Sequence, residues 1–232
     1  MWPAMGWRKN GHAEARTSNR RGARDAIEAR AFIGGEQMIR TIKERLLKLL
    51  LVGFVLAGSV HVGASELSEL LKKSEHVLLM RHALAPGVGD PAGYKLQDCK
   101  SQRNLDAKGR EQSQRMGQWL KAQGVGTTLV FTSAWCRCKE TAEKLALGTP
   151  VLEASLNSFF DDMSQGPKSN FSLQEFISNQ LKTKGDKALI LVTHHVNIAE
   201  FMGENVGSGD MVLAKVNSAG KMVSFKIFPS PW

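Results

Sequence analysis

The chain has 232 residues, 42% hydrophobic and 23% charged, which is enough apolar sequence for a sizeable core and too much for an extended disordered chain. Its formal charge is +9, but residues 1–64 hold 11 of the 31 Lys and Arg and 5 of the 22 Asp and Glu, leaving 20 and 17, about +3, for residues 65–232. That near-neutral remainder has no basic stripe interleaved with aromatics, which excludes nucleic acid as the expected partner.

Residues 1–37 are rich in arginine, glycine and alanine without periodicity, which predicts a disordered extension or a mis-assigned start. Met38 fits the second, because Gly34-Gly35-Glu36 must be encoded by GGN-GGN-GAR, which can contain a purine-rich ribosome-binding sequence. Residues 38–64 read as a secretory signal. Arg40, Lys43 and Arg45 precede an apolar run at 49–57, and Val62-Gly63-Ala64 offers small residues for cleavage before Ser65. The run is short for a membrane-spanning helix. A single periplasmic or secreted domain over 65–232 is expected, with no stable membrane association after cleavage.

Within that domain, strands are predicted at 76–81, 128–132, 150–153, 188–193, 211–216 and 222–228, and helices at 67–73, 106–123, 137–146, 172–182 and 195–206. Val77-Leu78-Leu79-Met80 and Ala188-Leu189-Ile190-Leu191-Val192 are apolar runs of the kind buried on both faces. Met116, Trp119 and Leu120 share one helical face, with Asp106 as its cap. The alternation predicts an α/β fold, a three-layer sandwich with a mostly parallel central sheet and helices on both faces, and the last two strands form an antiparallel edge hairpin. Between the first strand and Arg103 lies a long loop, glycine- and proline-rich in its first half, that is expected to border the site. Cys136 and Cys138 lack the spacing of a zinc site, and one disulfide is expected, from Cys99 to either of them.

Two buried strands each run directly into histidine, at Arg81-His82 and at Thr193-His194-His195. Ligands bind at the C-terminal ends of strands in open α/β sheets, so the histidines are expected to converge. Arginine grips phosphoryl oxygens by a planar fork, and histidine can attack phosphorus. Between these strands, Arg137 lies near a helix start, where free N–H groups strengthen an anion site.

In chain order, Arg81-His82, Arg103-Asn104-Leu105-x-x-x-Gly109-Arg110, Ser133-x-x-x-Arg137-x-x-x-Thr141-Ala142 and Thr193-His194 resemble the motifs of the histidine phosphatase superfamily, the phosphoglycerate mutase-like proteins. The resemblance runs from about Glu75 to Gly207. It implies a phosphatase of phosphomonoesters in which His82 forms a phosphohistidine. Arg81, Arg137 and His194 would hold the phosphoryl oxygens, and Arg103 and His195 would contact substrate. No metal or other cofactor is implied, since cationic side chains neutralise the phosphate.

Two positions depart from the family pattern. Ala83 stands where Arg-His-Gly is usual. Ser158, in Leu156-Asn157-Ser158-Phe159-Phe160-Asp161-Asp162, stands where many members carry a glutamate acid. Asp161 is therefore the expected proton donor, with Asp162 behind it, on a loop that Phe159 and Phe160 would pack over the site. The expected partner is a small phosphorylated substrate or an envelope phosphoglycan. The alternatives are a phosphomutase and a catalytically inactive phosphate- or phosphoglycan-binding module.

Overall fold

The computed structural model describes residues 65–231. The expected extension at 1–37 and signal segment at 38–64 lie outside the described residues. Strand β1 (His76–Arg81) pairs in parallel with β4 (Ala188–Thr193), which pairs in parallel with β2 (Thr128–Thr132), and β2 with the two-residue edge strand β3 (Val151–Leu152). On the other side of β1, β5 (Met211–Val216) and β6 (Met222–Phe228) run antiparallel as the expected hairpin, giving the order β3-β2-β4-β1-β5-β6.

Alternating side chains send each central strand into two cores. Leu78, Met80, Ile190 and Val192 face α1 (Glu66–Lys72), α2 (Ala107–Ala122) and α3 (Cys136–Leu145), while Val77, Leu79, Leu189 and Leu191 face α4 (Gly166–Thr183) and α5 (His195–Met202). This is the expected three-layer sandwich. Helix α1 is capped by Ser65, whose Oγ accepts from Ser68 N, and α2 by Asp106, whose carboxylate accepts from Gly109 N. The buried Lys184 ammonium donates to the Leu71 carbonyl at 2.7 Å and to Lys72 O at 3.1 Å, satisfying the last turn of α1.

Several predicted boundaries move for local reasons. Helix α4 starts at Gly166 rather than 172, because Pro167 at the first turn sets a helical φ and the mostly polar run 168–172 is its exposed to half-buried first stretch. Helix α5 ends at Met202 rather than 206, where Gly203 takes φ +85° and donates to the Ala199 carbonyl. The predicted strand at 150–153 shrinks to two exposed residues at the sheet edge. Cys99 is bonded to Cys136, which resolves the two expected pairings, and Cys138 is free and buried. The link ties the long loop to the first residue of α3 and closes a 37-residue separation, worth about 3–4 kcal/mol by loop-closure entropy.

Gly109 and Gly117 allow the closest backbone approaches of α2. A Cβ on Gly109 would meet the Leu84 carbonyl, two residues past His82, at 2.0 Å. Gly109→Ala is expected to destabilise the domain by about 1–3 kcal/mol in urea unfolding, despite alanine's better helix propensity. Gly126→Ala, in open space, is the control; equal effects of the two changes would contradict this packing.

Candidate active site

Three adjacent parallel strands end at one level. Arg81 pairs with Thr193, and Thr132 with Val192. Just beyond, His82 N donates to Thr193 O at 2.9 Å and Ser133 N to Val192 O at 3.1 Å. Of the residues singled out in the sequence, Arg81, His82, Arg103, Arg137, Asp161, His194 and His195 line one cavity of about 180 Å³ at this edge.

His82 is buried, and its Nδ1 lies 2.7 Å from the carbonyl oxygen of Ala83. The carbonyl can only accept, so Nδ1 carries the proton and Nε2 keeps its lone pair. Ala83 N donates to Thr141 Oγ1, which donates to the Arg137 carbonyl at 2.7 Å. Thr141 thus joins the end of β1 to the arginine-bearing helix. Ala83 does not take a positive φ, so its methyl group brings no backbone strain. Burial pushes His82 well below its ordinary pKa; Arg137, Arg81 and Arg103 push the same way, against the opposing hydrogen bond to Ala83. The imidazole is therefore neutral and nucleophilic at neutral pH.

Arg137 donates through Nη1 to both Asp90 carboxylate oxygens, at 2.9 and 3.0 Å, with both side chains 4% exposed. Its Nη2 lies 3.5 Å from His194 Nδ1, and its buried Nε has no acceptor among the described residues. Arg81 repeats the pattern: Nη1 donates to Val206 O at 2.7 Å, and a buried Nε lacks an acceptor among the described residues. A buried charged donor without a partner is costly, by roughly 1–3 kcal/mol or more, and suits the oxygens of an anionic ligand. Arg103 holds the loop instead, donating from Nε to Gly89 O at 2.8 Å and from Nη1 to Ala85 O.

His194 is buried with Nε2 against Ser133 Oγ at 2.9 Å and Cys138 Sγ at 3.4 Å, which leaves Nδ1 beside Arg137. Burial lowers its pKa far below the ordinary value, with His82 and Arg137 adding to this. His195 opens α5 at the pocket edge, its ring 5.7 Å from Phe160. Burial raises the Cys138 thiol to about 12, so it stays protonated and is a poor nucleophile.

The two aspartates after Phe160 separate. Asp161 is exposed at the cavity rim and accepts from the Tyr94 hydroxyl at 2.9 Å. Burial first, then the hydrogen bond and charge of Asp161, raise Tyr94 to about 12, so the phenol keeps its proton. Asp162 does not line the cavity. It caps a short 3₁₀ turn by accepting from Ser164 and Gln165, contacts that hold its carboxyl below the usual range and favour the charged form. Phe159 packs inward as expected, while Phe160 stays at the cavity mouth near Gly89. Asn157 fastens this loop: its side chain accepts from Ala134 N and its carbonyl from Asn197. Asp90 was not singled out by sequence reasoning. It sits in Gly87-Val88-Gly89-Asp90-Pro91, and no periodicity pairs that segment with Arg137, 47 positions later.

A sequence model of the histidine phosphatase superfamily (branch 1) matches residues 77–183, the span that carries His82, Arg103 and Arg137. Over that span the chain matches the histidine phosphatase superfamily. Among solved structures it is similar to the protein histidine phosphatase SixA complexed with tungstate, at 20% identity and a TM-score of 0.48 over 65% of this chain and 94% of that one. It is also similar to phosphoserine phosphatase from Entamoeba histolytica in complex with 3-phosphoglyceric acid, at 13% identity and a TM-score of 0.47 over 65% and 95% of the two chains. A mycobacterial glucosyl-3-phosphoglycerate phosphatase gives 13% identity and a TM-score of 0.49 over 67% and 98%. No curated protein matches the chain.

His82, His194, His195 and His76 all lie below the ordinary histidine value of 6.5 in the folded domain, chiefly through burial. Between those folded values and 6.5 the unfolded chain binds more protons, so stability is full above 6.5 and lost as pH falls. Urea midpoints are expected to drop from pH 7 to pH 5, with a shallower slope in His82→Asn. An unchanged midpoint across that range would contradict the buried neutral imidazoles.

Proposed function

We propose that this chain is a metal-independent phosphatase that hydrolyses phosphomonoesters through a phosphohistidine on His82. The observation that carries this reading is the His82 Nδ1–Ala83 carbonyl bond, which turns a neutral Nε2 into a cavity flanked by two arginines with unpartnered Nε groups. The Nε2 lone pair attacks phosphorus and the bond to the leaving oxygen breaks. Arg81, Arg137 and His194 stabilise the charge that develops on the other oxygens. Asp161, at the rim where the leaving group departs, gives its proton to that oxygen. It then takes a proton from the water that attacks the phosphohistidine, releasing phosphate and restoring Nε2.

The leaving group has room beside this cavity. A hollow of about 500 Å³ adjoins it, sharing Ser158 and Asp161 as walls and carrying Tyr94 and Lys168. This supports a small phosphorylated molecule or an envelope phosphoglycan as substrate, with the phosphoryl group inside and the polar remainder along the hollow. The Cys99–Cys136 disulfide supports an oxidising compartment, periplasmic or extracellular.

The test is turnover of phosphate esters with poor and good leaving groups. The wild-type protein should hydrolyse an aryl phosphate with chelator present, and His82→Ala should abolish that activity. Substantial residual turnover in the variant would reject the nucleophile. Asp161→Asn should lose roughly 100-fold or more on alkyl phosphates and little on activated aryl phosphates, because a good leaving group needs no proton. Equal losses on both, or none on either, would remove Asp161 from the proton transfer.

A further inference from the structure

We infer that Asp90 is a positioning residue for phosphoryl transfer. It takes Nη1 of Arg137 and so reserves the guanidinium's Nε–Nη2 edge for the phosphoryl oxygens, coupling the glycine-rich loop to the phosphate site. This rests on the phosphatase reading above and deepens it.

A guanidinium presents two bidentate edges, and they share Nη2. Asp90 occupies the outer nitrogen with both oxygens, at 2.9 and 3.0 Å. On the other edge the buried Nε has no acceptor among the described residues, and Nη2 has the 3.5 Å contact with His194 Nδ1. Asp90 is itself fully held. Its Oδ1 also accepts from Arg103 N at 2.9 Å, and its Oδ2 from Trp135 Nε1 at 3.0 Å. A carboxylate with donors on both oxygens and a guanidinium against it is held in one orientation, which suits it to position that arginine.

The loop that carries Asp90 is fastened to α3 from the same side. Cys99 is bonded to Cys136, and Cys136 N donates to Gln102 Oε1 at 2.9 Å. These tethers fix where Asp90 stands relative to Arg137, its neighbour in space across 47 residues of chain. Arg81 has its Nη1 held by a backbone carbonyl that needs no further support. Arg137 has its Nη1 held by a carboxylate delivered by a loop, so its aim depends on that loop.

The experiment is a double-mutant cycle between Asp90→Asn and Arg137→Ala, read in kcat/KM and, independently of turnover, in affinity for orthovanadate. Asp90→Asn is expected to lower kcat/KM by about 30-fold or more, by similar factors on alkyl and aryl phosphates, and to weaken vanadate. In the Arg137→Ala background the same change should cost less than about 3-fold, because its target is gone. Asp90→Glu keeps the charge but displaces it by a methylene. It should fold with a near-normal Tm and still lose activity equally on both substrate types, which guards against a variant that merely unfolds.

A loss confined to alkyl phosphates would make Asp90 the proton donor and overturn the proposal. So would a full loss from Asp90→Asn in the Arg137→Ala background, or no loss in either. If the wild-type protein turns over no phosphate ester, the phosphatase reading fails, while the vanadate cycle still decides whether Asp90 acts through Arg137.

Discussion

Three guanidinium groups meet at a cavity of about 180 Å³ in which Asp90 is the one buried carboxylate lining the wall. The rest of the site follows from that imbalance. Burial and the neighbouring arginines favour the neutral forms of His82 and His194, so the Nε2 lone pair of His82 is free without a base. Arg81 and Arg137 line the cavity, and each has a buried Nε without an acceptor among the described residues. Asp90 compensates part of the positive charge and orients Arg137, leaving the net field of the pocket positive.

The fold makes this arrangement possible by covering both faces of the sheet. With α1 to α3 on one side and α4 and α5 on the other, the central strands are accessible only at their ends. Parallel pairing of β1, β4 and β2 then brings Arg81 level with Thr193 and Thr132 level with Val192, and His82 and His194, the next residues after β1 and β4, line the pocket. Backbone hydrogen bonds from His82 and Ser133 continue the ladder one step past the strands, so these residues inherit the rigidity of the sheet. The loop bearing Asp90 has no such ladder, and a disulfide and an ion pair hold it instead.

Much of this was legible in the sequence because it rests on local patterns. The apolar runs ending in Arg81-His82 and Thr193-His194 mark buried strands, and the order of motifs placed Arg137 and His194 at one edge. The parts that escaped are tertiary. Nothing local distinguishes Asp90 from a solvated loop aspartate, since its partners Arg137, Trp135 and Arg103 come from other segments. Asp161 and Asp162 look alike in sequence, yet one reaches the cavity rim and the other caps a turn. The start of α4 at Gly166 was hidden by a polar run whose helical state depends on Pro167 and on packing.

The central claim is that a neutral His82 attacks through Nε2 because Ala83 holds Nδ1. Trapping the phosphoenzyme during turnover, unfolding it in alkali and reading the phosphohistidine isomer by phosphorus NMR tests this directly. The account predicts one signal, of histidine phosphorylated at Nε2, that maps to the peptide containing His82. Phosphate on Nδ1, or on His194 or His195, would contradict it.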